Sequence, residues 1–125
     1  MTPCILACDH EPHVTRIMSQ KLERAGLDVR TTSDGPAAWN RVRELSPELL
    51  IIDADLPDMD GLEVISRLRA EPEYFDLPVI LLTTHYVDAG LLLDLRIDYV
   101  LQKPFSPREL TALAANIVHP HAVPA

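Results

Sequence analysis

A cluster of carboxylates in the middle of the chain is the part of this sequence best suited to chemistry. Asp53, Asp55, Asp58 and Asp60 lie close together and directly follow the apolar run 49–52. Carboxylates at this spacing repel one another unless something positive, such as a metal ion or a lysine, lies among them. The simplest alternative is an acidic surface loop without a chemical role. The rest of the sequence must show which of the two interpretations holds.

Short apolar runs alternate with helix-period segments along the chain. The run 49–53 is typical of a buried strand that ends at Asp53, and Pro57 and Gly61 mark the loop after it. Four further runs have the same character, at residues 5–8, 27–32, 79–83 and 97–101. Strands alternating with helices predict an α/β fold with a parallel sheet covered on both faces. Five such units fit the doubly wound, flavodoxin-like order 2-1-3-4-5.

In this strand order, ligands bind beyond the carboxyl ends of the strands. The residues predicted at that edge are Asp9, His10, Asp53, Thr83 and Lys103. Each has an ordinary structural explanation when taken alone, since a lysine beside a proline is usually solvated. Together they place two acids, a hydroxyl group and a lysine around one point.

Length and composition exclude several other classes of protein. The chain has 125 residues, of which 47% are hydrophobic and 24% charged, as expected for one globular domain. A net charge of −8 argues against a nucleic-acid-binding surface. No apolar run approaches the roughly 18 residues of a membrane span, and no secretion signal follows Met1, so we expect a cytoplasmic location without membrane binding. The domain is predicted at residues 1–118, with 119–125 as a disordered tail or linker stub.

Five ordered sequence blocks resemble the receiver domain of two-component response regulators, over residues 3–118. The blocks are Ile5-Leu6-Ala7-Cys8-Asp9-His10-Glu11-Pro12, Asp34-Gly35-Pro36-Ala37-Ala38, Ile51-Ile52-Asp53 with Pro57-Asp58-Met59-Asp60-Gly61, Pro78-Val79-Ile80-Leu81-Leu82-Thr83, and Lys103-Pro104-Phe105. The resemblance implies that Asp53 accepts a phosphoryl group from a sensor histidine kinase or a phosphotransfer protein. The chain would then be a phosphoacceptor rather than an enzyme with a substrate of its own.

The resemblance also implies a role for each residue at the sheet edge. Asp9, Asp53 and the backbone carbonyl of Asp55 would hold Mg²⁺. Thr83 would donate its hydroxyl to a phosphoryl oxygen, and Lys103 would pair with the carboxylate or the phosphate, before a cis peptide bond to the next proline. Phosphoryl transfer requires mainly positioning and charge neutralisation, which a metal and a lysine provide. The partners implied downstream are a separate protein or a fused effector domain, and the last helices allow a homodimer.

His10 stands where the family has a second metal-binding acid. Mg²⁺ prefers hard oxygen ligands, whereas imidazole suits zinc, manganese or copper better. We therefore predict weak Mg²⁺ binding and slow phosphorylation, with Mn²⁺ as an alternative ion and His10 as a weaker candidate ligand than the acids.

The segment before Lys103 departs from the family as well. Thr83 and Lys103 are about two residues closer than is usual, and Arg96-Ile97 replaces a common Gly-Ala pair. These changes predict a short or irregular fourth helix. Val100 occupies the place of the family's switch aromatic, and the side chain of neighbouring Tyr99 is predicted to point to the opposite face.

Two enzyme-like or metal-binding motifs compete with this interpretation at the acidic cluster. The Asp53-Ala54-Asp55 segment also resembles the nucleophile motif of haloacid-dehalogenase-type phosphatases, but Pro57 and the mid-chain location count against it. An EF-hand loop starting at Asp53 fails, because Asp58 stands at its invariant glycine position and Val64 at its twelfth.

Two further alternatives stay open. Cys8, His10 and His13 could form a transition-metal site, although they are split between a strand and a helix start. The stronger rival is a pseudo-receiver, which uses the same fold as a phosphorylation-independent interaction module. His10 and the altered segment 84–100 favour it, whereas the intact acids, hydroxyl and lysine count against it.

Overall fold

A five-stranded parallel sheet organises residues 4–119, which are those that the computed structural model describes. Its order is β2-β1-β3-β4-β5, which confirms the predicted doubly wound α/β fold. The strands are β1 (Ile5–Cys8), β2 (Val29–Thr32), β3 (Leu49–Asp53), β4 (Val79–Thr83) and β5 (Tyr99–Gln102). The helices are α1 (Pro12–Arg24), α2 (Gly35–Leu45), α3 (Gly61–Arg69), α4 (Ala89–Asp94) and α5 (Pro107–Val118), with a 3₁₀ turn at Pro72–Tyr74. The predicted tail at 120–125 lies outside the described residues.

Two apolar cores lie on the opposite faces of the sheet. Alternate residues of β3 point to alternate faces, so Leu50 and Ile52 pack towards α2 and α3, while Leu49 and Ile51 pack towards α1 and α5. All four side chains are fully buried. Burying one such side chain is worth about 1.5–3 kcal/mol, so the central strand is fixed firmly and Asp53 at its end is held with it.

Helices α2, α3 and α5 begin with side-chain caps. Asp34 accepts from the backbone N–H of Ala37 at 2.7 Å, and Asp60 accepts from that of Glu63 at 2.8 Å. Ser106 caps α5 at its start, as the sequence predicts, with Pro at the first helical position. These caps satisfy backbone donors that have no partner inside the helix, so they set where each helix begins.

The fourth helix has only six residues, which confirms the short helix predicted from the sequence. After it, Arg96 adopts a positive φ of 55°, and the guanidinium of Arg69 donates to the carbonyls of Leu95 and Arg96. This turn delays β5, which begins at Tyr99 instead of the predicted residue 97. Side chains alternate along β5, so the predicted opposite orientation of Tyr99 and Val100 holds, and both are partly exposed.

Gly61 allows α3 to begin in direct contact with the end of β3. A Cβ atom at this position would overlap the carbonyl oxygen of Asp53 and lie 3.0 Å from its carbonyl carbon. We expect Gly61→Ala to lower the free energy of unfolding by about 3 kcal/mol, because neither backbone segment can move aside cheaply. Urea unfolding followed by circular dichroism measures this loss.

Gly26→Ala is the matched control for Gly61→Ala. Gly26 has a φ of +85°, and no atom lies within 4 Å of the place that a Cβ would occupy, so alanine there adds backbone strain but no collision. That strain costs about 1 kcal/mol. Equal losses in the two variants would mean that the close approach of α3 to Asp53 has no energetic role.

Candidate functional site

The carboxyl ends of the strands bring four polar side chains to one edge of the sheet. Asp9 follows β1 and Lys103 follows β5, while β3 and β4 end at Asp53 and Thr83. The parallel ladder continues past the strand ends, since the backbone N–H of Lys103 donates to the carbonyl of Thr83 at 2.8 Å. Asp9, Asp53 and Thr83 are at most 2% exposed, and the Lys103 side chain is 8% exposed.

Lys103 forms ion pairs with both buried acids. Its Nζ lies 2.6 Å from Asp9 Oδ2 and 3.4 Å from Asp53 Oδ2. Because the acids come from β1 and β3, which are neighbouring strands, a single ammonium group reaches both. Burial at this edge would otherwise make two adjacent carboxylates costly, and the lysine offsets part of that cost.

His10 contacts the phosphoacceptor candidate directly. Its Nδ1 lies 2.5 Å from Asp53 Oδ2 and 3.9 Å from Asp9 Oδ1. The ring itself is 43% exposed, so it covers the acids from the solvent side. Asp53 Oδ2 therefore has a donor on either side, His10 and Lys103.

The pKa values at this edge follow from burial and from these contacts. Burial favours the protonated form of Asp53, but the backbone N–H of Asp55, together with His10 and Lys103, outweighs it and lowers the pKa of Asp53. Burial favours the neutral form of Lys103, yet the two carboxylates outweigh it and raise the pKa of Lys103. Asp53 is thus ionised and Lys103 protonated across the neutral range.

The remaining two predicted site residues are held by backbone contacts. The backbone N–H of Asp55 donates to Asp53 Oδ1 at 3.0 Å, which fixes the loop that carries the Asp55 carbonyl. The hydroxyl of Thr83 donates to the carbonyl of His85 and accepts from the His85 N–H, both at 3.0 Å. Thr83 must therefore exchange its bond to that carbonyl before it can donate to any bound group.

Two residues at the edge were not singled out as site residues from the sequence. Glu11 Oε1 lies 3.4 Å from Lys103 Nζ, and its backbone N–H donates to Asp9 Oδ1 at 2.9 Å. His85 Nε2 lies 3.7 Å from a carboxylate oxygen of Asp55 at the mouth of the site. Glu11 could have been identified from the sequence, because it is an acid directly after His10, whereas no nearby sequence feature indicates that His85 lies at the site.

One group of side chains in the described part of the chain could hold a metal ion. Its members are Asp9, His10 and Asp53, whose ligand atoms all lie within 4.8 Å of one another. Two carboxylates and an imidazole suit a divalent cation, but they are not the all-oxygen set that Mg²⁺ prefers. The residues present therefore fit Mg²⁺ poorly.

The grouping of Cys8, His10 and His13 is not found among residues 4–119. Cys8 is fully buried, and burial raises the pKa of its thiol to about 12, so it offers no thiolate to a metal at neutral pH. His13 is exposed, with Glu11 at 3.7 Å as its acidic neighbour. None of the helices in this part of the chain combines the length and the hydrophobicity that crossing a bilayer requires.

The sequence profile of the family described as "Response regulator receiver domain" matches residues 5–115. The chain is 38% identical over 120 residues to the alkaline phosphatase synthesis transcriptional regulatory protein PhoP of Bacillus subtilis, covering 94% of this chain and 49% of that protein. It is 37% identical over 110 residues to the DNA-binding response regulator MtrA of Mycolicibacterium smegmatis, covering 86% and 47%. The chain thus spans about half the length of these curated relatives.

Solved structures share the architecture across the whole domain. The chemotaxis response regulator CheY4 of Vibrio cholerae superposes with a TM-score of 0.84 at 25% identity, covering 94% of this chain and 99% of that one. A response regulator protein from Burkholderia multivorans gives a TM-score of 0.78 at 30% identity, covering 98% and 100%. The order of strands and helices in this chain is therefore that of these proteins.

Proposed function

The chain belongs to the receiver domain family of response regulators in two-component signalling, and from this premise we propose that Asp53 is its phosphoacceptor. The observation that carries the proposal is the pairing of Asp53 Oδ2 with Lys103 Nζ at 3.4 Å beside a second buried acid, Asp9. An ionised carboxylate at the carboxyl edge of a sheet, next to a fixed cation, is a competent nucleophile for an activated phosphoryl group. Residues 1–118 would form the domain that carries out this step.

The proposed reaction moves one phosphoryl group onto the carboxylate. An Asp53 oxygen forms a bond to phosphorus while the P–N bond of a donor phosphohistidine breaks, and the bonding electron pair leaves with the donor imidazole. The product is an aspartyl phosphate, an acyl phosphate that water can later hydrolyse, so the mark is temporary. The chain has no other substrate in this scheme and is a phosphoacceptor rather than a conventional enzyme.

Fixed charge supports the transfer, because the transition state spreads negative charge over the phosphoryl oxygens. Lys103 is held in place by Asp9 and can turn towards a phosphoryl oxygen without leaving the site. Thr83 would donate its hydroxyl after leaving the His85 carbonyl. Asp9, Asp53 and the Asp55 carbonyl would hold a divalent cation, Mg²⁺ only weakly, whose contribution is further charge neutralisation.

A partner protein must supply the phosphoryl group and another must receive the signal. An apolar groove lined by Val14, Ile17 and Phe105 runs beside Lys103, which suits docking of a histidine kinase or a phosphotransfer protein next to Asp53. Since the curated relatives include regulators about twice as long as this chain, we propose that the signal passes to a fused effector domain or to a separate protein.

Acetyl phosphate provides a direct test without a partner protein. We expect the wild-type chain to gain the mass of one phosphoryl group, slowly and with little Mg²⁺ dependence. Borohydride reduction, which converts an aspartyl phosphate to homoserine, should then mark residue 53 in the peptide map. A peptide map with the label on another residue would contradict the assignment of Asp53.

A second candidate function is a pseudo-receiver that binds its partner without phosphorylation. The contact of His10 Nδ1 with Asp53 Oδ2 at 2.5 Å favours it, because the imidazole occupies an oxygen of the proposed nucleophile. Under this alternative neither acetyl phosphate nor beryllofluoride changes the mass or the backbone chemical shifts of the chain. The same experiment therefore separates the two functions.

A further inference from the structure

We propose that the edge formed by Asp9, His10 and Asp53 selects a first-row transition-metal ion over Mg²⁺, with His10 Nδ1 as a direct ligand. The inference rests on the proposed function, because it takes the two acids as the metal-facing acids of the phosphorylation site. It adds the class of metal and a specificity-determining residue.

The ligand atoms are already close to the spacing that one ion requires. All three lie within 4.8 Å of one another, with His10 Nδ1 at 2.5 Å from Asp53 Oδ2 and 3.9 Å from Asp9 Oδ1. Two ligands that are each about 2.1 Å from one ion can be at most about 4.2 Å apart. His10 Nδ1 and Asp53 Oδ2 lie closer together than two ligands of one such ion, so His10 must rotate away from Asp53 to admit a cation between them.

Each of the three side chains can give up an electron pair in this position. Asp9 Oδ2 is buried and pairs with Lys103 Nζ at 2.6 Å, and a carboxylate oxygen with one such partner keeps a lone pair for a second cation. His10 Nδ1 faces Asp53 Oδ2 at 2.5 Å, and when a metal replaces that contact the 43% exposed ring can carry its proton on Nε2 and present Nδ1 to the metal. Asp53 presents its carboxylate oxygen Oδ2 at the same point, 2.5 Å from His10 Nδ1.

The choice of metal follows from the chemistry of these donors. A site with a third carboxylate would bind Mg²⁺ more tightly, because each carboxylate adds a negative charge. An imidazole in the place of that carboxylate adds no negative charge. Transition-metal ions gain from a nitrogen ligand, with affinities that increase from Mn²⁺ towards Cu²⁺ and stay high for Zn²⁺. Replacing an acid with His10 therefore lowers the affinity for Mg²⁺ and raises that for Zn²⁺ relative to it.

Isothermal titration calorimetry of the untagged chain with ZnCl₂ and with MgCl₂ tests the proposal. We expect His10→Asp to lower the ratio of Zn²⁺ to Mg²⁺ affinity by about tenfold or more, both by losing the nitrogen ligand and by gaining a hard oxygen. His10→Ala should weaken Zn²⁺ binding by a similar factor and leave Mg²⁺ binding nearly unchanged. In the wild type, Zn²⁺ should shift the imidazole NMR signals of His10 before those of other histidines.

Two control variants test whether zinc binds at other histidines. His13→Ala removes an exposed histidine on the neighbouring helix, and the double variant His119→Ala/His121→Ala removes those near the chain end. Loss of Zn²⁺ binding in either control, or an unchanged metal ratio in His10→Asp, would overturn the inference. These titrations contain no phosphoryl donor, so the proposed phosphorylation of Asp53 stands or falls separately in the acetyl phosphate experiment.

Discussion

Asp53→Asn is expected to abolish phosphorylation of the chain by acetyl phosphate. The amide has no ionised oxygen to attack phosphorus, while its carbonyl oxygen can still accept the backbone N–H of Asp55 that now bonds Asp53 Oδ1 at 3.0 Å. The loop should keep its conformation, so the loss reports on chemistry rather than on folding. Intact mass spectrometry measures the modified fraction, and backbone NMR spectra verify that the fold is retained.

Asp58→Asn is the matched control for Asp53→Asn. Asp58 belongs to the same acidic cluster, but it is exposed and adopts a positive φ of 70°, a conformation that asparagine tolerates. The Asp58→Asn variant should be phosphorylated on Asp53 at the wild-type rate. A mass increase in Asp53→Asn as large as that of the wild type would exclude Asp53 as the acceptor, and failure of both variants would implicate the charge of the whole cluster.

Lys103→Met is expected to lower the free energy of unfolding by about 3 kcal/mol at pH 7. The lysine side chain is 8% exposed and is the cation within 3.4 Å of both buried acids, so its removal leaves two carboxylates buried without a partner on that side. Methionine has a similar length and keeps the packing of the methylene chain. Phosphorylation should fall as well, because the fixed charge that faces the phosphoryl oxygens is gone.

The effect of Lys103→Met should depend on pH with a definite sign. Because the pKa of Asp53 is lowered, its ionisation stabilises the fold above about pH 4, and this stabilisation is lost as the pH falls below that value. Because the pKa of Lys103 is raised, its protonation stabilises the fold below about pH 10, and this stabilisation is lost as the pH rises above that value. The wild type thus keeps this stabilisation between those limits. Burial and the neighbouring charge of Asp53 raise the pKa of Asp9 even with the lysine in place, so removal of the lysine makes ionisation of both acids more destabilising. The difference between wild type and variant should therefore be smaller near pH 4 than near neutral pH.

Urea unfolding at pH 4 and at pH 7 measures both parts of this prediction. Lys21→Met is the matched control, since Lys21 is exposed near the end of α1 and is the other lysine of the chain. It should change the stability by less than about 0.5 kcal/mol at either pH. Equal losses of unfolding free energy in Lys103→Met and Lys21→Met would contradict the role assigned to the ion pairs. So would a loss in Lys103→Met that does not vary with pH.

Element type and strand order could be predicted from the sequence because both depend on local patterns. The apolar run 49–53 and the capping residues around Ser106 specify a buried strand and a helix start whatever surrounds them. Boundaries that depend on distant contacts were harder. The start of β5 is set by the turn at Arg96, which the guanidinium of Arg69 holds from another helix. Such a contact leaves no periodic signal near residue 97.

The sequence by itself determined which residue types meet at the sheet edge. Parallel strands deliver their last residues to the same side, so the positions of Asp9, Asp53, Thr83 and Lys103 followed once five strands were recognised. Only the tertiary structure decided how these side chains are paired. It places Lys103 closest to Asp9, sets His10 against Asp53 and turns the Thr83 hydroxyl to its own loop.

The physical reason for this division is how far apart along the chain the residues lie that determine each feature. A strand or a helix start depends on residues within one or two turns of chain, whereas the contact between His10 and Asp53 joins positions 43 residues apart and that between Glu11 and Lys103 joins positions 92 apart. Such pairs depend on differences of about 1 Å in how loops pack over the sheet, and the energies of charged contacts change steeply over that range. The acids could be named from the sequence, but the neighbour of each charge could only be seen in the fold.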